Sequence, residues 1–326
     1  MRFTRIAVLL CAQLLTIANW VGVAGAQEIF VTNQLGGGVG EVSAYTASGA
    51  LVSASYVSVP AFAGPDGLAA SATNLYVAYG NVSQIGAYTL AGATVNQSFT
   101  GGAQVNDPWG MAVAGGNLYV ANGSPLVVSE FNASTGAVEN ESLVTYPTVG
   151  DNFGSPIDVA VSGNDLYVVW SVDGNSSYTI GEYNATTGAA INASLVTGLP
   201  SANDYYIAVS GNDLFASDTS TGDVSEYNAT TGALINSARV TGINHPEGMA
   251  VFDGDLFVTS FGSYTQAGTG TVGEYTLTGG AVNASLITGL TGSFAIAVVP
   301  EPSTWLMLAI GAAALLAFRR KRRCAN

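Results

Sequence analysis

The long middle of this 326-residue sequence has no cysteine and almost no positive charge. Its cysteines are Cys11 and Cys324, near the two ends, so no disulfide can staple residues 27–299. Within that range Arg239 is the only cation, whereas 21 of the 22 acidic residues lie there, which leaves a formal charge near −20. Such a segment repels nucleic acid and anionic lipid, and nucleic-acid binding is therefore excluded.

Lysine and glutamate, the usual residues of exposed helix faces, are also scarce, while glycine, alanine, valine, threonine and tyrosine are abundant. This composition favours short strands and tight turns, and it predicts an all-β fold. The sequence has a single histidine, His245, and no Gly-x-Ser-x-Gly elbow. It therefore lacks the residues needed for a Ser-His-Asp or Cys-His catalytic site.

The first 26 residues have the pattern of a signal peptide. Arg2 and Arg5 precede an apolar run at 6–17, and residues 24–26 have the small-x-small form of a signal-peptidase site. We therefore expect residues 1–26 to be removed by signal peptidase and the rest of the chain to be exported.

The other end has three parts: VPEPST at 299–304, 14 apolar residues at 305–318 and RRKRR at 319–323. As a helix the apolar run would be about 21 Å long, against a hydrocarbon core of about 30 Å, which is short for a permanent membrane span. This order resembles the PEP-CTERM sorting signal of Gram-negative bacteria. The residues that carry the resemblance are Pro300, Glu301 and Pro302, followed by the basic end that begins with Arg319 and Arg320.

The resemblance implies a short transmembrane helix in the precursor, transient membrane insertion, and recognition and cleavage by an exosortase. It also implies delivery to the cell surface or extracellular matrix of a host that makes exopolysaccharide. An uncleaved single-span anchor is the alternative interpretation of the tail. In both cases the middle of the chain faces outward.

Between the two signals the sequence repeats itself. The octapeptide EYNATTGA occurs at 182–189 and at 226–233, with degenerate copies at 130–136 and 274–279. Each unit also contains Gly-x-Ala-Val and Leu-Tyr-Val strand signals and a fourth strand, which is the content of a propeller blade. An apolar or aromatic anchor recurs at spacings of 46, 43, 48, 48 and 42 residues, at Phe30, Tyr76, Tyr119, Tyr167, Phe215 and Phe257.

The two ends of the repeat complement each other. The first Leu-Tyr-Val-type strand, at 28–31, has no Gly-x-Ala-Val strand before it, and such a strand appears at 294–299 with no second strand after it. Pairing these two strands closes a ring and removes the exposed edge. The prediction is a six-bladed β-propeller over 27–299, between the signal peptide 1–26 and the sorting signal 300–326.

The repeated Asn-Ala-Thr-Thr-Gly segment also forms an N-glycosylation sequon. Its recurrence at the same place in the repeat favours a structural role, because asparagine, threonine and glycine are the residues of a tight hairpin with one left-handed position.

Function on a repeat scaffold is expected where the repetition is broken. Aligning the residues that open the innermost strand places one variable residue per blade around one channel mouth: Asp66, Trp109, Ile157, Tyr205, Glu247 and Phe294. Aromatic faces that stack on sugars, beside carboxylates that bond hydroxyls, predict a ligand site. Its predicted residues are Asp66, Trp109, Tyr205, Glu247 and Phe294. The alternative is that these side chains only line or plug the channel.

Three further carboxylates lie close to these positions in the sequence, and they are candidate ligands for a hard cation such as Ca²⁺: Asp107, Asp158 and Asp204. We expect no other cofactor. The segment DGN at 173–175 lacks the later acidic ligands of a calcium loop and is a weak signal.

The segment HPEGMAV at 245–251, followed by LFV at 256–258, resembles the Pro-x-Gly-Ile-Ala-Val pattern of NHL-type six-bladed propellers. That group shades into streptogramin lyase and gluconolactonase-like enzymes. The resemblance implies an alternative function, a metal-assisted lyase or lactonase, with carboxylates at Asp66, Asp107, Asp204 and Glu247. The paired histidines of the lyase are absent, and residues 27–299 contain no lysine.

The sequence thus favours an exported, surface-sorted propeller without catalytic activity. We expect it to be a binding or structural component of the exopolysaccharide matrix or cell envelope, with exopolysaccharide or another surface protein as its partner.

Overall fold

In a computed structural model the chain is described over residues 28–36, 39–57, 59–60, 63–100, 105–146, 154–172, 177–199, 205–263 and 265–299. The predicted signal peptide and sorting segment lie outside these residues, as do the motif positions Pro300, Glu301, Pro302, Arg319 and Arg320. Residues 29–298 form one compact unit, and the second unit, 1–28 with 299–326, is described only at Glu28 and Val299. No helix within the described ranges is long and apolar enough to cross a membrane.

The described residues form six four-stranded sheets, which are the blades of the predicted propeller. Blade 1 contains β1 (Glu28–Gly36), β2 (Val39–Thr46) and β3 (Leu51–Ser53), and the last strand of the chain, β24 (Ile296–Val299), completes it. Blade 2 contains β4 (Pro65–Ala70), β5 (Asn74–Tyr79), β6 (Gln84–Thr89) and β7 (Thr94–Asn96). Blade 3 contains β8 (Pro108–Ala114), β9 (Asn117–Gly123), β10 (Leu126–Asn132) and β11 (Val138–Thr145).

The second half of the ring repeats the same plan. Blade 4 contains β12 (Gly154–Ser162), β13 (Asp165–Val172), β14 (Ser177–Asn184) and β15 (Ala190–Leu199). Blade 5 contains β16 (Tyr205–Ser210), β17 (Asp213–Asp218), β18 (Asp223–Asn228) and β19 (Leu234–Val240). Blade 6 contains β20 (Pro246–Phe252), β21 (Asp255–Ser260), β22 (Gly270–Thr276) and β23 (Ala281–Leu290). A short 3-10 helix, Gly80–Val82, lies between β5 and β6.

The predicted ring closure is confirmed, because the last strand pairs with the first. Thr32 in β1 fixes the approach to β24. Its backbone N–H donates to the carbonyl oxygen of Ala295 at 3.1 Å, and its hydroxyl accepts from the N–H groups of Phe294 and Ala295 at 3.1 and 2.9 Å. With both ends of the repeat joined, blade 1 has its full set of four strands.

Apolar cores lie between neighbouring blades and not at the channel axis. The largest joins blades 4 and 5, where Tyr178 and Tyr205 pack with ring centroids 5.1 Å apart. Residues at the innermost strands of all six blades line a narrow axial cavity of about 60 Å³. The blades are therefore held together by side chains that interdigitate between adjacent sheets.

The repeated turn is both a hairpin and a joint between blades. At 184–188 the Asn184 carboxamide oxygen accepts from the N–H groups of Thr186 and Thr187, and Gly188 has a left-handed φ of 68°. A Cβ on Gly188 would lie 1.8 Å from the carbonyl oxygen of Leu143 in the preceding blade. Equivalent glycines meet an equivalent carbonyl of the neighbouring blade in all six blades, at Gly49, Gly92, Gly136, Gly188, Gly232 and Gly279.

Replacing Gly188 by alanine should destabilise the propeller more than replacing another left-handed glycine. Gly163 has φ 63° but no atom within 4 Å of an added Cβ, so Gly163→Ala carries only the conformational cost. We expect the free energy of unfolding, from urea titrations, to fall by about 1 kcal/mol for Gly163→Ala and by about 3 kcal/mol for Gly188→Ala. Equal losses would show that the contact with the neighbouring blade does not constrain this position.

Candidate functional site

A β-bulge interrupts the start of the innermost strand in blades 2, 3, 4 and 6. In β8, Pro108 pairs with Asn122 and Met111 with Val120, so Trp109 and Gly110 together oppose a single residue of β9. The innermost strands of blades 2, 4 and 6 have the same irregularity after their proline. At this bulge Asp66 and Trp109 lie at the wall of the mouth, whereas the equivalent Ile157 and Glu247 do not.

Blade 5 lacks this bulge, and its tyrosines are therefore shifted by one position. In β16 the pairing is continuous, with Tyr205 opposite Asp218, Tyr206 opposite Ser217 and Ile207 opposite Ala216. Tyr205 thus occupies the pairing position of the prolines and packs between blades, and its hydroxyl donates to Asp218 Oδ2 at 3.2 Å. Tyr206 lines the mouth in its place.

The channel mouth is a cavity of about 240 Å³. Its aromatic wall is made by Trp109, Tyr206 and Phe294, and Phe294 is supported from behind by Phe261, with ring centroids 5.3 Å apart. The polar part of the wall comes from Asp66, from Asn81 in the loop between β5 and β6, and from Asp107 in the connection between blades 2 and 3. We call this cavity the mouth cavity.

Asp66 is a half-buried carboxylate held by two donors. Gln34 Nε2 donates to its Oδ1 and the backbone N–H of Gly80 donates to its Oδ2, both at 2.9 Å. Burial raises the pKa of Asp66 to about 6, and the nearby charge of Asp107 acts in the same direction. The carboxylate is thus fixed in position and costly to ionise without a positive partner.

Asp107 is exposed and lies beside Asp66. A Cβ added at Gly80 would lie 2.6 Å from Asp66 Oδ2 and 3.1 Å from Asp107 Oδ1, so the two oxygens are at most about 5.7 Å apart, the sum of those distances. The backbone of Asp107 is left-handed, with φ 54°, and its N–H and carbonyl groups are bonded to Ser83 Oγ and to the N–H of Gly123. Its carboxylate receives no hydrogen bond from the described residues and faces the cavity.

Asp158 lies deeper, in the axial channel. Its Oδ2 accepts from the N–H of Ile207 in the next blade at 2.9 Å, and its Oδ1 is packed against the backbone of Gly110. Burial raises the pKa of Asp158 to about 7. This side chain links blades 3, 4 and 5. The link explains the burial of Asp158 without a bound ion.

The remaining predicted site residues are dispersed. Glu247 is buried in β20 and is not among the residues that line the mouth cavity, and Ile157 belongs to the core between blades 4 and 5. Asp204 lies outside the described residues. His245 is held by contacts of its Nδ1 with Asn244 Oδ1 and with the carbonyl oxygen of Gly262.

The structure thus brings together Asp66, Asp107, Trp109 and Phe294, and it adds Tyr206 and Asn81, which the sequence analysis missed. The missing proline at the start of β16 could have signalled the shift to Tyr206. No sequence signal marks Asn81. Within the described ranges, no group of three or more Asp, Glu, His or Cys residues is placed to hold a metal ion.

Asp158→Asn should remove a pH dependence of stability. An acid whose pKa is raised on folding lowers stability as pH rises from its unfolded value, near 4, to its folded value, about 7. We expect the variant to be more stable than wild type by roughly 2 to 4 kcal/mol at pH 8, and the difference to shrink towards pH 4. Urea unfolding at several pH values measures this.

The asparagine keeps an acceptor for the Ile207 N–H, so the geometry of the link is preserved. A stability difference that stays constant between pH 4 and pH 8 would contradict the assignment of the raised pKa to Asp158.

Comparison with known proteins identifies the C-terminal segment. Residues 298–323 match the PEP-CTERM protein-sorting motif. The motif implies export, processing by an exosortase and sorting to the cell envelope or surface. No curated protein matches the chain.

Solved structures share the fold of the propeller. A chain of a nidogen/laminin complex superposes with a TM-score of 0.61 at 13% identity, covering 85% of this chain and 99% of its own. A gluconolactonase of Xanthomonas campestris superposes with a TM-score of 0.54 at 13% identity, covering 73% of this chain and 83% of its own. These likenesses establish the six-bladed propeller, and the chain is therefore a β-propeller that carries a PEP-CTERM sorting motif.

Proposed function

We propose that this protein is a non-catalytic binding propeller of the cell surface, and that its mouth cavity binds a polysaccharide of the extracellular matrix. The observation that carries the proposal is the composition of the cavity wall, where Trp109, Tyr206 and Phe294 lie beside two carboxylates and the Asn81 amide. Aromatic faces stack on the apolar faces of sugar rings, and the polar groups bond the hydroxyls. The PEP-CTERM motif, which implies sorting to the cell envelope or surface, supports a role in that compartment.

The position of the cavity in the fold also supports a binding role. The mouth cavity lies on the face formed by the blade connections and the loops between second and third strands, where the sequence varies from blade to blade. The repeated turns, with their glycine joints, occupy the opposite ends of the strands. The scaffold is thus uniform on one face, and the side chains of the other face are free to fit a ligand.

Replacing Trp109 by alanine should weaken polysaccharide binding by roughly five- to thirtyfold, because loss of one stacking aromatic costs about 1 to 2 kcal/mol. Calorimetry of the purified full-length protein with the exopolysaccharide of its own host measures the change. Leu234→Ala is the matched control, since Leu234 is 56% exposed on the outermost strand of blade 5, away from the mouth. Absence of binding by wild type, or equal binding by both variants, would contradict the proposal.

A metal-assisted lyase or lactonase is the second candidate function. The closely spaced carboxylates of Asp66 and Asp107 and the similarity in fold to a gluconolactonase support it. The same calorimetry samples, with added Ca²⁺ or Mn²⁺, should be checked for released sugar and for hydrolysis of sugar lactones. Metal-dependent turnover that Asp107→Asn abolishes would favour the enzyme, and saturable binding without product would favour the binding protein.

A further inference from the structure

The mouth cavity carries negative charge that the protein does not compensate. The carboxylates of Asp66 and Asp107 are at most about 5.7 Å apart, and neither is paired with a cation by the described residues. Arg239, the only lysine or arginine in 27–299, is paired with Glu226 on the outer strands of blade 5. Two ionised carboxylates this close repel each other, so a positive charge between them would be favourable.

The other half of the cavity wall is aromatic, and an aromatic wall favours ammonium groups over metal ions. Trp109, Tyr206 and Phe294 line the same space as the two carboxylates. Aromatic faces attract ammonium groups through the ring quadrupole, and the attraction grows as water is excluded. A hard metal ion instead needs six or more oxygen ligands, and no group of three acidic residues within the described parts of the chain is placed to supply them.

The arrangement also disfavours two other classes of ligand. An anionic sugar would be repelled by Asp66 and Asp107 and would find no basic side chain among the residues lining the cavity. A neutral sugar could stack on Trp109 but would leave both carboxylates without a countercharge. A ligand with an ammonium group on a sugar ring satisfies the carboxylates, the aromatic wall and the Asn81 amide together.

We infer that the mouth cavity recognises a positively charged amino sugar, and that the polysaccharide bound by this protein is cationic, as a deacetylated hexosamine polymer is. This inference rests on the proposed function, because it names the chemical class of the ligand for the same cavity. The amine lies between the carboxylates of Asp66 and Asp107, and the sugar ring stacks on the aromatic wall. Sorting to the envelope or surface, which the PEP-CTERM motif implies, is compatible with a ligand that is an extracellular polymer.

The test compares two ligands of equal length on the full-length protein: glucosamine oligomers and their N-acetylated counterparts, which are neutral. Calorimetry at low and at physiological ionic strength should show at least tenfold tighter binding of the free amine. Asp107→Asn should remove most of that preference, because it should weaken binding of the glucosamine oligomer much more than binding of the neutral oligomer. Trp109→Ala should weaken the binding of both oligomers.

Asp253→Asn is the matched control. Asp253 is also exposed and left-handed, with φ 49°, and it lies in the turn between β20 and β21, at the end of the strands opposite to the mouth. Both variants remove one negative charge from the protein. If Asp253→Asn reduced the preference as much as Asp107→Asn, the preference would come from net charge alone and the inference would be overturned.

The remaining outcomes separate the inference from the proposed function. Equal affinity for amine and acetylated oligomers would overturn the inference and leave the proposed function standing. No binding of either oligomer or of the host polysaccharide would overturn both. Tighter binding of an oligolysine peptide than of glucosamine oligomers would also overturn the inference, because it would indicate a basic protein ligand.

Discussion

The pairing of β24 with β1 is the contact on which the rest of the propeller depends. Without it, blade 1 would have three strands and the ring would have two exposed edges. Thr32 makes this pairing specific, since its backbone and hydroxyl bond both residues that precede β24. Closure also brings Phe294 to the mouth cavity, so the cavity wall contains residues from opposite ends of the domain sequence.

A closed ring needs identical joints, and this need explains the repeated turn. Each joint places a left-handed glycine against a backbone carbonyl of the preceding blade, with no space for a side chain. Tight turns and interblade apolar cores stabilise residues 27–299, which contain no cysteine and so cannot form disulfides. Repetition of the sequence is therefore the result of a geometrical requirement at six equivalent places.

The axis and the mouth show how the repeat is modified. Where blades 2, 3 and 6 have glycine, blade 4 has Asp158, which bonds the next blade through a buried carboxylate. Where blades 2, 3, 4 and 6 have a bulge, blade 5 has a continuous strand that presents Tyr206. Each departure changes one interaction at the channel and leaves the joints intact, so a scaffold of this kind can alter its binding face at little cost to stability.

Much of the site could be predicted from sequence, because Asp66, Trp109 and Phe294 follow from the alignment of the innermost strands. Tyr205 and Glu247 show the limit of that alignment. A missing bulge shifts side-chain direction by one residue, so Tyr205 packs between blades, while Glu247 is buried in its strand. Asn81 comes from a loop with no repeat signal, and only the folded ring brings it to the mouth.

The sequence by itself determined the all-β class, the number of blades, the closing strand and the sorting segment. Each of these follows from the composition, from the repeat period or from a local motif. The tertiary structure decided which side chains share the mouth cavity and how close Asp66 and Asp107 come to each other. The physical reason is that the strands of a propeller recur with a regular spacing, and this spacing can be recognised in the sequence. The direction of a side chain at a bulge depends on the partner strand, and the sequence of one strand alone does not contain it.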